Sequence, residues 1–274
     1  MRDPFACDGP TNIAFSGGRT SGLMLRRTLD AHGGKLPADC HVIFSNTGRE
    51  REETLEFVRD CGEHWGVDII WVERRRVPGE PATAVRVTFD TASRNGEPFD
   101  ALIDERSYVP NPVTRFCTEE LKIKTAKRHL MSLGYEHWTS CVGLRFDEPK
   151  RVARIHAGKR ERETVATPLY DARITVADVA AFWRAQPFDL RLQSYEGNCD
   201  LCFLKGFAKR VRIIEERPDL AAWWIGAERR TDTTFRAHEP SYQRVLDWTK
   251  NQRRLPMFDD VTTDIESVDC GCTD

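Results

Sequence analysis

Asn12-Ile13-Ala14-Phe15-Ser16-Gly17-Gly18-Arg19-Thr20-Ser21-Gly22 is the stretch around which the whole chain can be read. Ile13 to Phe15 is a short apolar run with the character of a buried strand. Two glycines, Thr20 and Ser21 follow, and Leu23, Met24, Leu25 and Leu29 then recur at helical spacing. A strand that feeds a glycine-rich turn at a helix start makes an anion cradle. Glycine lets the backbone approach closely, and the unpaired N–H groups of the first helical turn point at the anion. Ser16, Thr20 and Ser21 add hydroxyls, and Arg19 adds a fixed positive charge. The pattern is neither the Walker A loop nor the G-x-G-x-x-G dinucleotide fingerprint. The plain alternative is an ordinary glycine turn between strand and helix.

Outward from this loop the chain alternates. Gly33-Gly34 stops the first helix, and residues 40–45 read as a second buried strand ended by Asn46-Thr47-Gly48. Residues 49–65 have helical spacing, and residues 68–73 are a third strand. Strand, helix, strand, helix, strand predicts a parallel α/β sheet, whose ligands lie beyond the carboxyl ends of the strands. Residues 74–115 hold several prolines and read as an irregular insertion with one short hairpin around Val85 to Phe89. A helix over 118–133, a strand over 137–144 and a charged helix over 147–156 follow. Thr175 fits an N-cap, with Asp178 as the capping-box acid, for a helix over 176–183. Further helices are predicted over 203–216 and from Pro218 through Trp223-Trp224. Two units are expected: residues 1–170 as the nucleotide-binding α/β domain, and 171–274 as a helical lobe with a cysteine-bearing tail.

The totals limit the function classes. A chain of 274 residues with net charge −2 is not, as a whole, a basic nucleic-acid binder. Arg74-Arg75-Arg76, Lys159-Arg160 and Lys209-Arg210 each read as solvated faces. No apolar run approaches a membrane span and no leader is evident, so a cytoplasmic location is the expectation. Nine cysteines, unevenly spaced, argue for metal or redox chemistry at a subset rather than a disulfide framework. Cys199-x-x-Cys202 on a turn suits zinc, an iron–sulfur cluster or a redox dithiol. Cys117 sits just before a predicted helix, and Cys270 and Cys272 lie in the acidic tail. Cys61 and Cys141 read as core, Cys40 as the start of a strand and Cys7 as part of a frayed end.

Ser-Gly-Gly-x-x-Ser after a first strand resembles the loop of the PP-loop ATP pyrophosphatase superfamily. Within it, several segments resemble the phosphoadenosine phosphosulfate reductase family. These are Phe44-Ser-Asn-Thr-Gly48 with Glu53-Thr54, Arg115-Phe-Cys117-Thr-x-x-Leu-Lys122, Gly143-Leu-Arg145-Phe-Asp147-Glu148, Pro168-Leu169-Tyr-Asp171 with Asp178-Val179, and Cys199-x-x-Cys202. The resemblance implies a Rossmann-like parallel sheet of the adenine nucleotide alpha hydrolase type with a C-terminal helical lobe. It implies that Ser16, Gly17, Gly18, Arg19, Thr20 and Ser21 hold the β- and γ-phosphates of ATP with Mg2+, and that Asn46, Thr47 and Gly143 border the nucleotide. Arg145 would face the α-phosphate, with Asp147 orienting it or the metal. Cys117, Cys199 and Cys202 would ligate a [4Fe–4S] cluster, with Cys272, Cys270 or an open site as the fourth position. One departure is that the family's paired cysteine is a single residue here, Cys117. Another is that the first loop is intact, as in ATP-using members, whereas an already activated sulfonucleotide has no pyrophosphate to hold.

The function expected is adenylylation by ATP coupled to sulfur transfer. One rival is a sulfonucleotide reductase, in which Cys270 of Asp269-Cys270-Gly271 is the attacking thiolate. Another is a non-catalytic nucleotide- or zinc-binding protein. The partners implied are the nucleotide and a sulfur donor or thiol reductant, with a nucleic-acid acceptor and a second copy of the chain left open.

Overall fold

The computed structural model describes residues 3–158 and 160–252. Six strands form one sheet: β1 (Thr11–Ala14), β2 (Cys40–Ser45), β3 (Ile69–Arg75), β4 (Thr83–Val87), β5 (Trp138–Val142) and β6 (Glu163–Ala166). Their order is β4-β3-β2-β1-β5-β6, parallel throughout except for β4, which runs antiparallel to β3. This is the expected α/β architecture. Side chains of β2 and β3 alternate between two apolar clusters. Val42, Phe44 and Trp71 join one, while Ile43, Ile70 and Val72 join the other. A strand covered on both faces therefore reads as a continuous apolar run, as residues 40–45 and 68–73 do.

Helices α1 (Arg19–Ala31) and α2 (Glu52–Trp65) cover one face, and α4 (Lys124–Ser132) covers the other. Here α4 continues from a π-helical segment, Cys117–Ile123, where an unbroken α-helix was expected. Short helices α5 (Pro149–Ala157) and α6 (Pro168–Asp171) flank β6, and α7 (Val176–Arg184) starts at the Thr175–Asp178 capping box. Trp183 of α7 packs so closely on α1 that a Cβ at Gly22 would lie 2.5 Å from its ring. That helix therefore belongs to the core of the sheet.

A second core is all-helical. It joins α3 (Glu97–Arg106), Phe116 and Leu121 to α8 (Phe207–Glu216), α9 (Ala221–Thr231) and α10 (Tyr242–Gln252). The 74–115 segment is thus more ordered than its prolines suggested. Pro98 sits in the first turn of α3, where its missing N–H has no intrahelical role. The 203–216 helix begins only at Phe207. Arg74, expected on a solvated face, is buried and forks onto Glu105 through two 2.8 Å bonds. Trp224 is core and donates to Asp200 Oδ1 at 2.9 Å, while Trp223 donates to Asp100 at 3.0 Å. No helix among the described residues is long and apolar enough to cross a membrane.

Candidate nucleotide site

The strand order creates the site. β1 leads through α1 to β2 on one side, whereas β5 leads to β6 on the other. Between β1 and β5 the connections diverge, and the carboxyl ends of these two strands open a crevice. The loop after β1 and Gly143-Leu144-Arg145 after β5 therefore meet. A Cβ at Gly143 would stand 3.4 Å from Ser21 Cα. Arg145 Nη1 donates to Thr20 Oγ1 at 3.2 Å.

Within the loop, Gly17 has φ +78°, and a Cβ there would lie 2.7 Å from Thr54 Cγ2. Gly18 caps α1 in ordinary extended geometry, φ −104° and ψ 164°. Ser21 Oγ accepts the Ser16 and Gly18 N–H groups at 3.2 Å each and shares a 3.0 Å hydrogen bond with Ser16 Oγ. No acidic side chain lies in the first turn of α1, so nothing there opposes an anion. Thr20 and Ser21 are buried, and Ser16 is half-buried.

Arg19 does something the sequence did not suggest. Its guanidinium forks onto Asp189 at 2.7 Å on both oxygens and also meets the Leu190 and Leu192 carbonyls. It thereby holds the segment after α7 against the loop helix, and Trp183 Nε1 reinforces this by donating to Arg19 O at 2.8 Å. Arg145 is buried beside Asp147, which accepts its Nε at 3.0 Å, and Glu148, which accepts its N–H at 3.0 Å. Asp147 also accepts the Val176 N–H at 3.3 Å, tying the end of β5 to the start of α7.

The side chains of Asn46 and Thr47 point into the protein. Asn46 donates to Glu73 at 2.6 Å and to Ser93 O at 2.9 Å, and its Oδ1 accepts the Gly48 N–H. Thr47 gives both its N–H and its hydroxyl to the Glu50 carboxylate. Glu73 and Glu50 were not singled out from sequence. The only signals available were Glu73 directly after the apolar run of β3 and Glu50 five residues past the end of β2.

The Cys199-x-x-Cys202 turn reaches the same place. Asn198, fully buried, donates to Ser16 O at 2.8 Å, and its Oδ1 is a buried acceptor with no hydrogen-bond partner. Arg51 N–H donates to Asn198 O at 2.7 Å, and Glu50 and Cys199 form a β-bridge. Asp200 pairs with Arg49. Burial pushes its carboxyl up, against the pull of that guanidinium. Cys117, Cys199 and Cys202 all border the helical core. Among the described residues, however, no group of three or more His, Cys, Asp or Glu side chains is placed to hold one metal ion. Cys270 and Cys272 lie outside the described residues.

An uncharacterised nin-region protein of Escherichia phage lambda is 29% identical over 203 residues, covering 72% of this chain and 67% of that protein. An uncharacterised protein of Methanocaldococcus jannaschii is 31% identical over 165 residues, 59% of this chain but only 29% of that one. Among solved structures, the U34-tRNA thiolase of Methanococcus maripaludis with its [4Fe–4S] cluster aligns over 96% of this chain and 80% of its own. The TM-score is 0.41, at 12% identity. The phosphoadenosine phosphosulfate reductase domain matches residues 10–188, a span running from just before β1 to just beyond α7. The chain belongs to the phosphoadenosine phosphosulfate reductase family.

Proposed function

We propose that this chain binds ATP between β1 and β5 and promotes attack at its α-phosphate, with pyrophosphate as leaving group and sulfur transfer as the coupled reaction. One observation carries the reading: the glycine loop, the uncompensated start of α1 and Arg145 converge at the switch point of the sheet. The first-turn amides of α1, with the Ser16 and Ser21 hydroxyls, would hold the β- and γ-phosphates. Arg145 would offset negative charge developing at the α-phosphate. Asp147 is its positioning residue, since it grips the guanidinium at one oxygen and α7 at the other. Magnesium would enter with ATP. Asn46 and Thr47 would shape the adenosine side through the backbone of their turn, because their side chains are engaged inward.

The sulfur half of the reading rests on the thiols. Cys117, Cys199 and Cys202 are the soft donors an iron–sulfur cluster takes, and Cys272 would be the fourth. A bound cluster would supply one-electron or sulfur-handling chemistry beside the nucleotide. The described thiols do not themselves assemble a metal site, so the steps above use only the chain's own side chains. A nucleic acid is the acceptor to try first.

The family match favours a second reading, a sulfonucleotide reductase with Cys270 as the attacking thiolate. Anaerobic protein incubated with ATP, and separately with adenylyl sulfonucleotides, separates the two. Pyrophosphate released from ATP supports the first reading. Sulfite released from the sulfonucleotide with a dithiol reductant, and no pyrophosphate from ATP, replaces it with the second. Iron and sulfide analysis of the same preparation tests the cluster independently.

A further inference from the structure

The far end of the sheet carries a feature that the nucleotide site does not use. Cys40 is the first residue of β2, in register with Thr11 at the start of β1, so it lies at the opposite strand ends from the phosphate loop. Cys7 precedes β1 in a segment without regular structure. The two residues are 33 apart in sequence, yet the Cys40 thiol donates to Cys7 Sγ across 3.3 Å. His32, at the carboxyl cap of α1, accepts the Cys7 backbone N–H on Nε2 at 3.0 Å. Cys7 is half-buried, whereas Cys40 is buried in the sheet.

We propose that Cys7 and Cys40 form an oxidisable dithiol that a hydroperoxide converts to an intramolecular disulfide. The Cys7 thiolate attacks one peroxide oxygen. The O–O bond breaks, and the departing hydroxide or alkoxide takes a proton from solvent, leaving a sulfenic acid on Cys7. Cys40 sulfur then attacks Cys7 sulfur, the S–O bond breaks, and the Cys40 proton leaves with the hydroxide as water. The two thiols lose two electrons and two protons in all, and the peroxide gains both.

The geometry assigns the roles. Cys7 is reachable and Cys40 is not, so Cys7 is the attacking thiol and Cys40 the resolving one. Closing 3.3 Å to a disulfide of about 2.05 Å takes a shift of little more than 1 Å. Cys7 can make that shift because no strand or helix fixes it. The local charge agrees. The Cys40 hydrogen bond and then the His32 ring bring the Cys7 thiol down to about 6, while the same contact and burial push Cys40 up. Cys61 and Cys141 are also pushed up by burial, Cys141 to about 12, which keeps both protonated. A lowered thiol carries more thiolate at pH 7, and its lower intrinsic nucleophilicity takes back only part of that gain.

The test uses the full chain, treated with stoichiometric hydrogen peroxide at pH 7, alkylated and mapped by mass spectrometry. The expected product is a Cys7–Cys40 cross-link that raises the melting temperature by roughly 5–10 °C. Cys7→Ser abolishes it, and this half-buried position keeps the test independent of whether a Cys40 variant folds. Cys40→Ser instead accumulates a Cys7 sulfenic acid that dimedone traps. His32→Ala moves the pH midpoint of Cys7 alkylation upward. Oxidation that spares Cys7 while consuming Cys117 or Cys199 overturns the proposal. So does a Cys7 alkylation midpoint near 9, or a cross-link from Cys7 to another cysteine. None of these readouts depends on nucleotide binding.

Discussion

Gly17→Ala is the substitution on which the loop argument is most exposed. Two costs add. Alanine at φ +78° adopts the left-handed region, which costs about 1–2 kcal/mol. Its Cβ would also stand 2.7 Å from Thr54 Cγ2, 3.1 Å from Val58 Cγ2 and 3.2 Å from Phe44 Cε2. None of these side chains can swing into solvent, because all three are buried. Overpacking of this kind costs about 1–3 kcal/mol. The variant should therefore lose about 2–5 kcal/mol, which for a chain of this size is a fall of roughly 5–15 °C in melting temperature. Gly18→Ala is the control. Its extended geometry suits any residue, so its stability should stay within about 0.5 kcal/mol of the parent. Its methyl group should still obstruct phosphate approach and weaken ATP binding by roughly tenfold or more. Urea unfolding and calorimetry with ATP on both variants make the check. Gly17→Ala as stable as the parent would mean that α2 and β2 do not hold the loop rigid.

Arg145→Ala should lower turnover by roughly 10²- to 10³-fold, with a smaller change in ATP affinity, since the arginine is assigned to charge that develops in the reaction; equal losses in both would make it a binding residue only. Asn198→Ala removes the 2.8 Å bond to Ser16 O and should cost about 1–2 kcal/mol of stability while weakening ATP binding; unchanged affinity, again by calorimetry, would uncouple the cysteine turn from the loop. The Arg74 guanidinium, with Arg76 beyond it, holds Glu105 below its ordinary value of 4.5. A depressed carboxylate stabilises the fold above that value, and the contribution is lost as pH falls through the lower folded value. Glu105→Gln should accordingly flatten the decline of the urea midpoint between pH 6 and pH 3, and an unaltered slope would assign that decline to other groups.

Local signals made the sheet legible and long-range ones hid the rest. Ile13 to Phe15, residues 40–45 and residues 68–73 announced buried parallel strands because both faces of each are covered. The Thr175–Asp178 capping box fixed the start of α7 from four residues alone. By contrast, Pro98 reads as a breaker until its place in the first turn of α3 is known. The run Arg74-Arg75-Arg76 reads as solvated because Glu105, thirty-one residues on from Arg74, is invisible at that distance. The contact of Arg19 with Asp189 was hidden for the same reason, since the two lie 170 residues apart. Cys7 read as part of a frayed end, yet it rests on Cys40. For Arg74, Arg19 and Cys7 the partner was supplied by topology.

The same topology explains why a charged side chain sits where the two cores join. The Glu50 side chain is fully buried and would be untenable alone. Thr47 supplies an N–H at 2.8 Å and a hydroxyl, Lys122 brings its ammonium to 3.4 Å from the π-helical segment, and Cys199 offers its thiol at 3.9 Å. The compensation thus comes from three segments far apart in sequence, and it works only when all three are in place. A buried carboxylate of this kind adds little net stability, because its desolvation offsets its attractions, but it penalises any other arrangement of those segments heavily. Asn198, one residue before Cys199, bonds the backbone of Ser16. The glycine loop, the β2–α2 turn and the cysteine turn are consequently positioned by one another. The Asn198 side chain is thus the contact through which the Ser16 carbonyl meets the turn that holds the Cys199 thiol against Glu50.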